Sequence, residues 1–293
     1  MEVMLFDRLE AIKKYINEFE EENFYISFSG GKDSTLLHYL VDEAIPGNRI
    51  PRVFINTGIE YKLVSDFVHE LMVDDKRFVE IKPSVPIKSM LDKYGYPFKS
   101  KEHSKKLELY QRGSNCEWLK NYLDDERKSR FKCPKILKYQ FNKDFKLHIS
   151  DKCCQKLKKQ PAAKWEKDNN KSIVMTGMRI EEGGQRISLS CIVVKNEKLI
   201  KFHPLATITD DWENWYIKTR NIKLCDLYYP PFEFKRTGCK GCPFSLDLQE
   251  QLSTMELYLP NEAKQCEVIW KPVYDEYRRL NYRLKQQVQL KLF

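Results

Sequence analysis

The feature that most limits how this chain can fold is an alternation of short strand patterns with helical patterns, punctuated by one pair of glycines. Phe24-Tyr25-Ile26-Ser27-Phe28 is a run of aromatic and β-branched residues that ends at Ser29-Gly30-Gly31-Lys32-Asp33-Ser34. From Ser34 to about Glu43 the spacing turns helical, with Leu36, Leu37, Leu40 and Val41 on one face. A second strand is predicted at 52–55, a second helix at 62–72 and a third strand at 78–81. A further strand at 172–176 returns to the same sheet. Strands that alternate with helices predict an α/β fold with a parallel sheet covered on both faces.

The glycine loop has a chemistry of its own. Between a strand and a helix, unpaired N–H groups of the helix N-terminus face outward and attract anions. Gly30 and Gly31 let backbone approach phosphate oxygens with no Cβ in the way. Lys32 adds a positive charge, the Ser29 and Ser34 hydroxyls add donors, and Asp33 can cap the helix or help hold a magnesium ion. The glycines and the lysine are too close together for the G-x-x-x-x-G-K-[ST] loop of the common nucleotide triphosphatases.

Charge points to a partner. From Lys99 to Lys171 there are 21 Lys and Arg against 10 Asp and Glu, while the whole 293-residue chain carries +9. Such a segment suits a polyanion, nucleic acid or a phosphate-rich small molecule; the alternative is a solvated helical surface. Little strand character runs through 97–171, so helices are expected there. Leu5, Leu9, Ile12, Ile16 and Phe19 make an amphipathic first helix. No apolar run reaches the ~18 residues of a membrane span, and no signal peptide is recognisable, so the expected location is cytoplasmic. A hairpin is predicted around Lys195-Asn196-Glu197, and helices at 210–220 and 262–285.

Nine cysteines in a reducing compartment favour metal or redox chemistry over disulfides. Cys153-Cys154 and Cys239-x-x-Cys242 form two pairs, separated by 84 residues. Four thiolates suit a [4Fe–4S] cluster or zinc. Adjacent cysteines diverge, which is awkward for a small tetrahedral zinc site and easier for a larger cluster. Cys116, Cys133, Cys191, Cys225 and Cys266 stand alone and are expected to pack.

Ser-Gly-Gly-Lys-Asp-Ser resembles the signature of the PP-loop ATP pyrophosphatases. Asn56-Thr57-Gly58 resembles the segment after strand two in their phosphoadenosine phosphosulfate (PAPS) reductase branch. Lys152-Cys153-Cys154 through Pro161, together with Cys239 and Cys242, is similar to the cysteine set of the cluster-containing members. Gly177-Met178-Arg179-Ile180-Glu181-Glu182 with Gln185-Arg186 resembles a segment that turns basic groups toward phosphate or sulfate. His203-Pro204-Leu205-Ala206 and Asp211-Trp212-Glu213 resemble the family's next motif and look structural.

The resemblance implies a PP-loop (adenine nucleotide alpha hydrolase-like) domain over 23–205, after an N-terminal helix at 1–22. A basic helical insertion at 97–171 would interrupt it, and a C-terminal helical segment at 206–293 would complete the iron–sulfur site. It further implies a nucleotide site of Ser29, Gly30, Gly31, Lys32, Asp33, Ser34, Thr57, Gly58, Arg179 and Arg186. Lys32 and Asp33 would be catalytic with Mg²⁺, and Cys153, Cys154, Cys239 and Cys242 would be the cluster ligands. The family's nucleophilic cysteine lies in a C-terminal Glu-Cys-Gly-x-His element, and 285–293 carries none.

Three functions are compatible with this pattern. One is ATP-dependent, pyrophosphate-releasing activation of an acceptor for sulfur transfer, with a nucleic-acid acceptor on 99–171 and a sulfur-donor protein. The second is a sulfonucleotide reductase with a non-standard thiol. The third is a non-catalytic nucleotide- and cluster-binding subunit.

Overall fold

The computed structural model describes residues 1–126, 132–183 and 186–286. Part of the basic segment (127–131), Gln185 of the arginine segment and the C-terminal 287–293 lie outside the described residues. In chain order, α1 (Glu2–Phe19), β1 (Phe24–Phe28), α2 (Lys32–Ala44), β2 (Arg52–Ile55), α3 (Lys62–Asp74) and β3 (Phe78–Ile81) come first. Next are α4 (Ile87–Tyr94), α5 (Lys101–Gln111), α6 (Glu117–Leu123), α7 (Lys152–Cys154) and, after a π-turn at Gln155–Lys159, α8 (Gln160–Asp168). Then follow β4 (Ile173–Met175), β5 (Ile192–Lys195), β6 (Lys198–Phe202), α9 (Asp210–Thr219), α10 (Leu248–Tyr258) and α11 (Pro260–Arg279).

Two compact units form, each from two stretches of chain: Met1–Pro83 with Gln160–Gly238, and Ser84–Lys159 with Cys239–Phe293. The sequence reading sets the insertion at 97–171 and the last segment from 206. The boundaries differ because packing decides them. Trp165 and Glu166 of α8 engage Tyr25 of β1, and α9 buries Trp212 and Tyr216 in the core that β1 and α2 share.

The first unit is built on a six-stranded sheet in the order β3-β2-β1-β4-β6-β5. All neighbours are parallel except the β5–β6 hairpin. Alternation along β1 sends Phe24 and Ile26 into the cluster of α1, α2 and α9, while Tyr25 meets α8 from the other side. With both faces covered, β1 reads as a nearly unbroken apolar run. Order reverses beside β1: the chain moves to β2 and β3 on one side, then to β4 and β6 on the other. The crevice outside the carboxyl ends of β1 and β4 is thus the switch point, where sheets of this kind bind ligands.

At the start of β2, a fully buried Arg52 donates to Asp42 (2.7 Å), Asn48 (2.8 Å) and His38 Nδ1 (3.0 Å). His38, Asp42 and Asp75 converge within 4.8 Å, and the guanidinium groups of Arg52 and Arg77 already neutralise that convergence. Burial, then Arg52, lowers His38 to about 4, so it stays neutral and accepts from Arg52.

The second unit is helical among its described residues, apart from one parallel bridge between Tyr96 and Ile149. Its core includes Met90, Leu91, Phe98, Leu107, Leu119 and Leu157 with Leu248, Leu252, Trp270 and Tyr277. His103 is buried between Tyr122 Oη (2.8 Å) and Gln140 Oε1 (2.7 Å), and burial lowers it to about 3. Among the described residues no helix is long and apolar enough to cross a membrane.

Arg52→Ala leaves Asp42 with Arg77 as its remaining cation and removes a donor from His38, and is expected to cost about 1.5–3 kcal/mol in a denaturant melt. A loss under 1 kcal/mol would show the network to be dispensable.

Candidate functional site

The glycine loop closes on itself before α2 begins. Ser29 N–H donates to Ser34 Oγ (3.2 Å), Gly31 N–H donates to Ser29 Oγ (3.3 Å), and Ser34 Oγ donates to the Gly31 carbonyl (2.9 Å). Gly31 is the N-cap and has no side chain to satisfy the first turn of α2. Gly30 has φ +71°, and a Cβ there would meet Val64 Cγ1 at 2.7 Å, so both conformation and space demand glycine. The Lys32 N–H donates to Tyr228 Oη at 2.8 Å, and Tyr228 Oη in turn pairs with Thr237 Oγ1 at 2.9 Å.

Across the switch point, the loop after β4 comes against the first turn of α2. A Cβ on Gly177 would lie 2.7 Å from the Asp33 carbonyl, so only glycine permits this approach. Arg179 is delivered two residues later and is buried. Its Nε donates to Asp33 Oδ1 (2.6 Å) and its Nη2 to Asp210 Oδ1 (2.7 Å), and it lies 3.2 Å from Glu213 Oε2. Burial opposes the charge on Arg179, but Glu213 and Asp33 outweigh it and keep the guanidinium protonated.

Glu213 closes the circuit, with Oε2 2.8 Å from Lys32 Nζ. It is fully buried, with Lys32 and Arg179 as its cationic partners. Burial, then the charge of Asp33, raises Glu213 to about 7, with Lys32 and Arg179 acting against the rise. Lys32 and Arg179 therefore face Asp33 and Glu213 in a nearly balanced quartet. An incoming phosphate can take Glu213's place on Lys32.

Other expected residues lie apart from this quartet. Thr57 is buried in its own turn, its N–H and hydroxyl both directed at Glu60 (2.8 Å each). Gly58 takes φ +81° beside it, donating to Asn56 Oδ1 at 3.0 Å. Both follow β2, at the same sheet edge as the loop after β1. Arg186 pairs with Glu182, which also takes Arg236 (3.1 Å) and the Arg179 N–H (3.2 Å), so Arg186 stands one link behind Arg179. Sequence reading missed Tyr228, Thr237 and Asp210, and took Glu213 for a structural residue. The available signal was Thr209 as N-cap of α9 with Asp210 and Glu213 three apart, hence on one face.

In the second unit, Cys153, Cys154, Cys239 and Cys242 come together. Burial, followed by the charges of Cys239, Cys154 and Cys242, pushes the Cys153 thiol far up. Burial and Cys239 push Cys242 up to about 12. Gly241 turns the Cys239–Cys242 segment at φ +59°, where a Cβ would lie 2.4 Å from Tyr274 Oη. Helix α11 cradles that turn: Trp270 donates to the Lys240 carbonyl (3.2 Å), Tyr274 to Gly241 (2.5 Å) and Tyr277 to Pro243 (2.8 Å). Cys153 is buried and the other three are half-buried, and four thiols crowded together are the donor set a thiophilic metal or cluster takes. Of the single cysteines, Cys133, Cys225 and Cys266 are buried as expected, whereas Cys116 is exposed. The Leu119 N–H lowers the Cys116 thiol.

A mostly parallel α/β sheet with a glycine loop and facing cations at its switch point defines a PP-loop-like fold. Residues 127–245 match the phosphoadenosine phosphosulfate reductase domain family, the one the sequence resembles. That span holds Arg179, Glu213 and all four clustered cysteines, though not the glycine loop itself.

Among solved structures, the chain is similar to phosphoadenylyl-sulfate (PAPS) reductase from Candida auris in a phosphate complex, at 16% identity over 79% of this chain and 93% of that one, TM-score 0.44. It is similar to NH3-dependent NAD synthetase from Campylobacter jejuni, at 13% identity over 99% of each chain, TM-score 0.42. It is also similar to the U34-tRNA thiolase NcsA from Methanococcus maripaludis with its [4Fe–4S] cluster, at 13% identity over 100% of this chain and 84% of that one, TM-score 0.39. No curated protein matches the chain.

Because folded Glu213 titrates above its ordinary 4.5, the folded state holds that proton more tightly. Its contribution to stability is complete below pH 4.5 and is lost as pH rises through about 7. Denaturant melts across this window are expected to show a decline of roughly 1–3 kcal/mol. The decline should flatten in Glu213→Gln; an identical pH profile in both proteins would contradict the assignment.

Proposed function

We propose that this chain is an adenine-nucleotide-binding PP-loop enzyme of sulfur metabolism that uses ATP to activate an acceptor for sulfur transfer. The observation that carries the reading is the meeting of Lys32 and Arg179 beside the glycine loop, at the switch point of a parallel sheet. Ser29, Gly30, Gly31, Lys32 and Ser34 border the phosphates, with Thr57-Gly58 on the neighbouring edge and Arg186 steadying Arg179 through Glu182.

An acceptor oxygen attacks the α-phosphorus; a new P–O bond forms as the α–β bridge breaks, and pyrophosphate leaves with the electron pair. Lys32 neutralises the departing charge, and Asp33 would help hold a Mg²⁺ that would add positive charge there. Arg179 fixes Asp33 for that task. Hydrosulfide then displaces AMP: a new C–S bond forms at the adenylated carbon as its C–O bond to AMP breaks, and AMP leaves with the electron pair. Cys153, Cys154, Cys239 and Cys242 fit a [4Fe–4S] cluster, which supplies thiolate-ligated iron for sulfur handling or electron transfer. The charge excess of 99–171 supports a nucleic-acid acceptor.

A second reading, sulfonucleotide reduction, is favoured by the family that 127–245 matches. It needs an accessible nucleophilic thiol, and Cys116 has both the exposure and the lowered pKa. Cys266 does not serve: it is buried, and burial pushes it up to about 12.

The test is anaerobic incubation of the full chain with ATP, single-stranded nucleic acid and sulfide. Pyrophosphate and AMP in equal amounts are expected, with Lys32→Ala about 100-fold slower. Sulfite from PAPS or adenylyl sulfate, without pyrophosphate from ATP, would replace this reading by the second. The same preparation should be brown and carry roughly four irons with matching sulfide per chain, lost in Cys239→Ser. Zinc without iron would contradict the cluster.

A further inference from the structure

Within the second unit, and separate from its cysteines, lies an open cavity of about 730 Å³, in the range of small-molecule sites. Its lining includes two aromatic rings, Tyr110 and Phe145, and four cations, Arg112, Lys120, Lys143 and Lys146; no carboxylate lines it among the described residues. The cations come from three stretches of the chain and are exposed. The rings are half-buried and braced from behind, Tyr110 by Phe141 (centroids 5.6 Å apart) and Phe145 by Tyr139 (5.7 Å).

The walls are tied together. The Gln111 side chain donates to the Leu147 carbonyl (2.8 Å) and accepts from the Ile149 N–H (3.1 Å), locking the 142–149 stretch to the end of α5. Arg112 is braced by Glu108 at 2.5 Å. A lone phosphate needs one tight fork. Cations spread over separate stretches around a recess with aromatic rings suit successive phosphates of a strand whose unpaired base stacks within.

We propose that this cavity receives an unpaired nucleotide of a single-stranded nucleic acid, the base against Tyr110 and Phe145 and the flanking phosphates on Arg112, Lys120, Lys143 and Lys146. The inference rests on the nucleic-acid acceptor of the proposed function and assigns that acceptor its place in the chain.

The experiment is fluorescence anisotropy of the full chain with labelled single strands of DNA and of RNA, about 20 nucleotides each, over a salt series. The double variant Lys120→Glu, Lys143→Glu is expected to bind about tenfold or more weakly, with a salt slope lower by roughly 2. Phe145→Leu should lose about tenfold while keeping the slope, since stacking and not charge is removed. Lys195→Glu, on the β5–β6 hairpin of the first unit and outside the cavity lining, should bind like the parent, and all variants should keep their melting temperature. A preference between the DNA and RNA strands names the sugar.

Unchanged affinity in both cavity variants overturns the inference while leaving the acceptor reading intact. A parent protein that binds no strand overturns both. A duplex or poly-glutamate bound as tightly as the single strands, and weakened alike, also overturns it by making the patch a general anion surface.

Discussion

The candidate nucleotide site depends on one contact across the switch point, the ion pair between Asp33 at the start of α2 and Arg179 after β4. Two strands that are neighbours in the sheet but 145 residues apart in sequence bring these groups together, and the missing side chain of Gly177 lets the two loops touch. Every other charge at the site is placed relative to this pair. Asp210 and Glu213 approach Arg179 from α9, and Lys32 reaches Glu213 from beside Asp33. A half-buried cluster in which Lys32 and Arg179 face Asp33, Asp210 and Glu213 is stable only while its charges balance. Glu213, which burial raises to about 7, is the member that gives up its charge most readily.

The cysteine site follows a different logic. Its thiols gain nothing from one another unmetallated: burial and the neighbouring cysteines push Cys153 and Cys242 up. What holds them is the backbone of the Cys239–Cys242 turn, whose carbonyls are gripped by Trp270, Tyr274 and Tyr277 of α11. Three aromatic donors thus fix the turn without using the cysteine side chains.

Much of the fold was legible because burial on both faces leaves a plain signature. Strands β1, β2 and β3 fall where apolar runs end in turn residues, and the β5–β6 hairpin brackets Lys195-Asn196-Glu197 as its pattern predicts. Helix α10 lies outside the helical patterns read from the sequence, although Leu248, Leu252 and Met255 carry the spacing. The site was legible only where chemistry is local. The glycine loop and the paired cysteines are contiguous motifs, whereas Tyr228 and Thr237 join the loop from far along the chain with no local mark, and Glu213 shows only its spacing from Asp210. Asp211-Trp212-Glu213 reads as structural because Trp212 is; its neighbour Glu213 points at Lys32. The basic segment showed its charge in sequence, but not that Tyr110 and Phe145 share one recess.

The central claim is that the loop from Ser29 to Ser34 holds an adenine nucleotide through Lys32 and the Arg179-anchored Asp33. Calorimetric titration of the purified full chain with ATP and Mg²⁺ tests it most directly. The account predicts one ATP site per chain, weakened about tenfold or more by Lys32→Ala and by Arg179→Ala in proteins that still melt cooperatively. No ATP binding alongside tight binding of PAPS or adenylyl sulfate, or ATP binding indifferent to both substitutions, would contradict it.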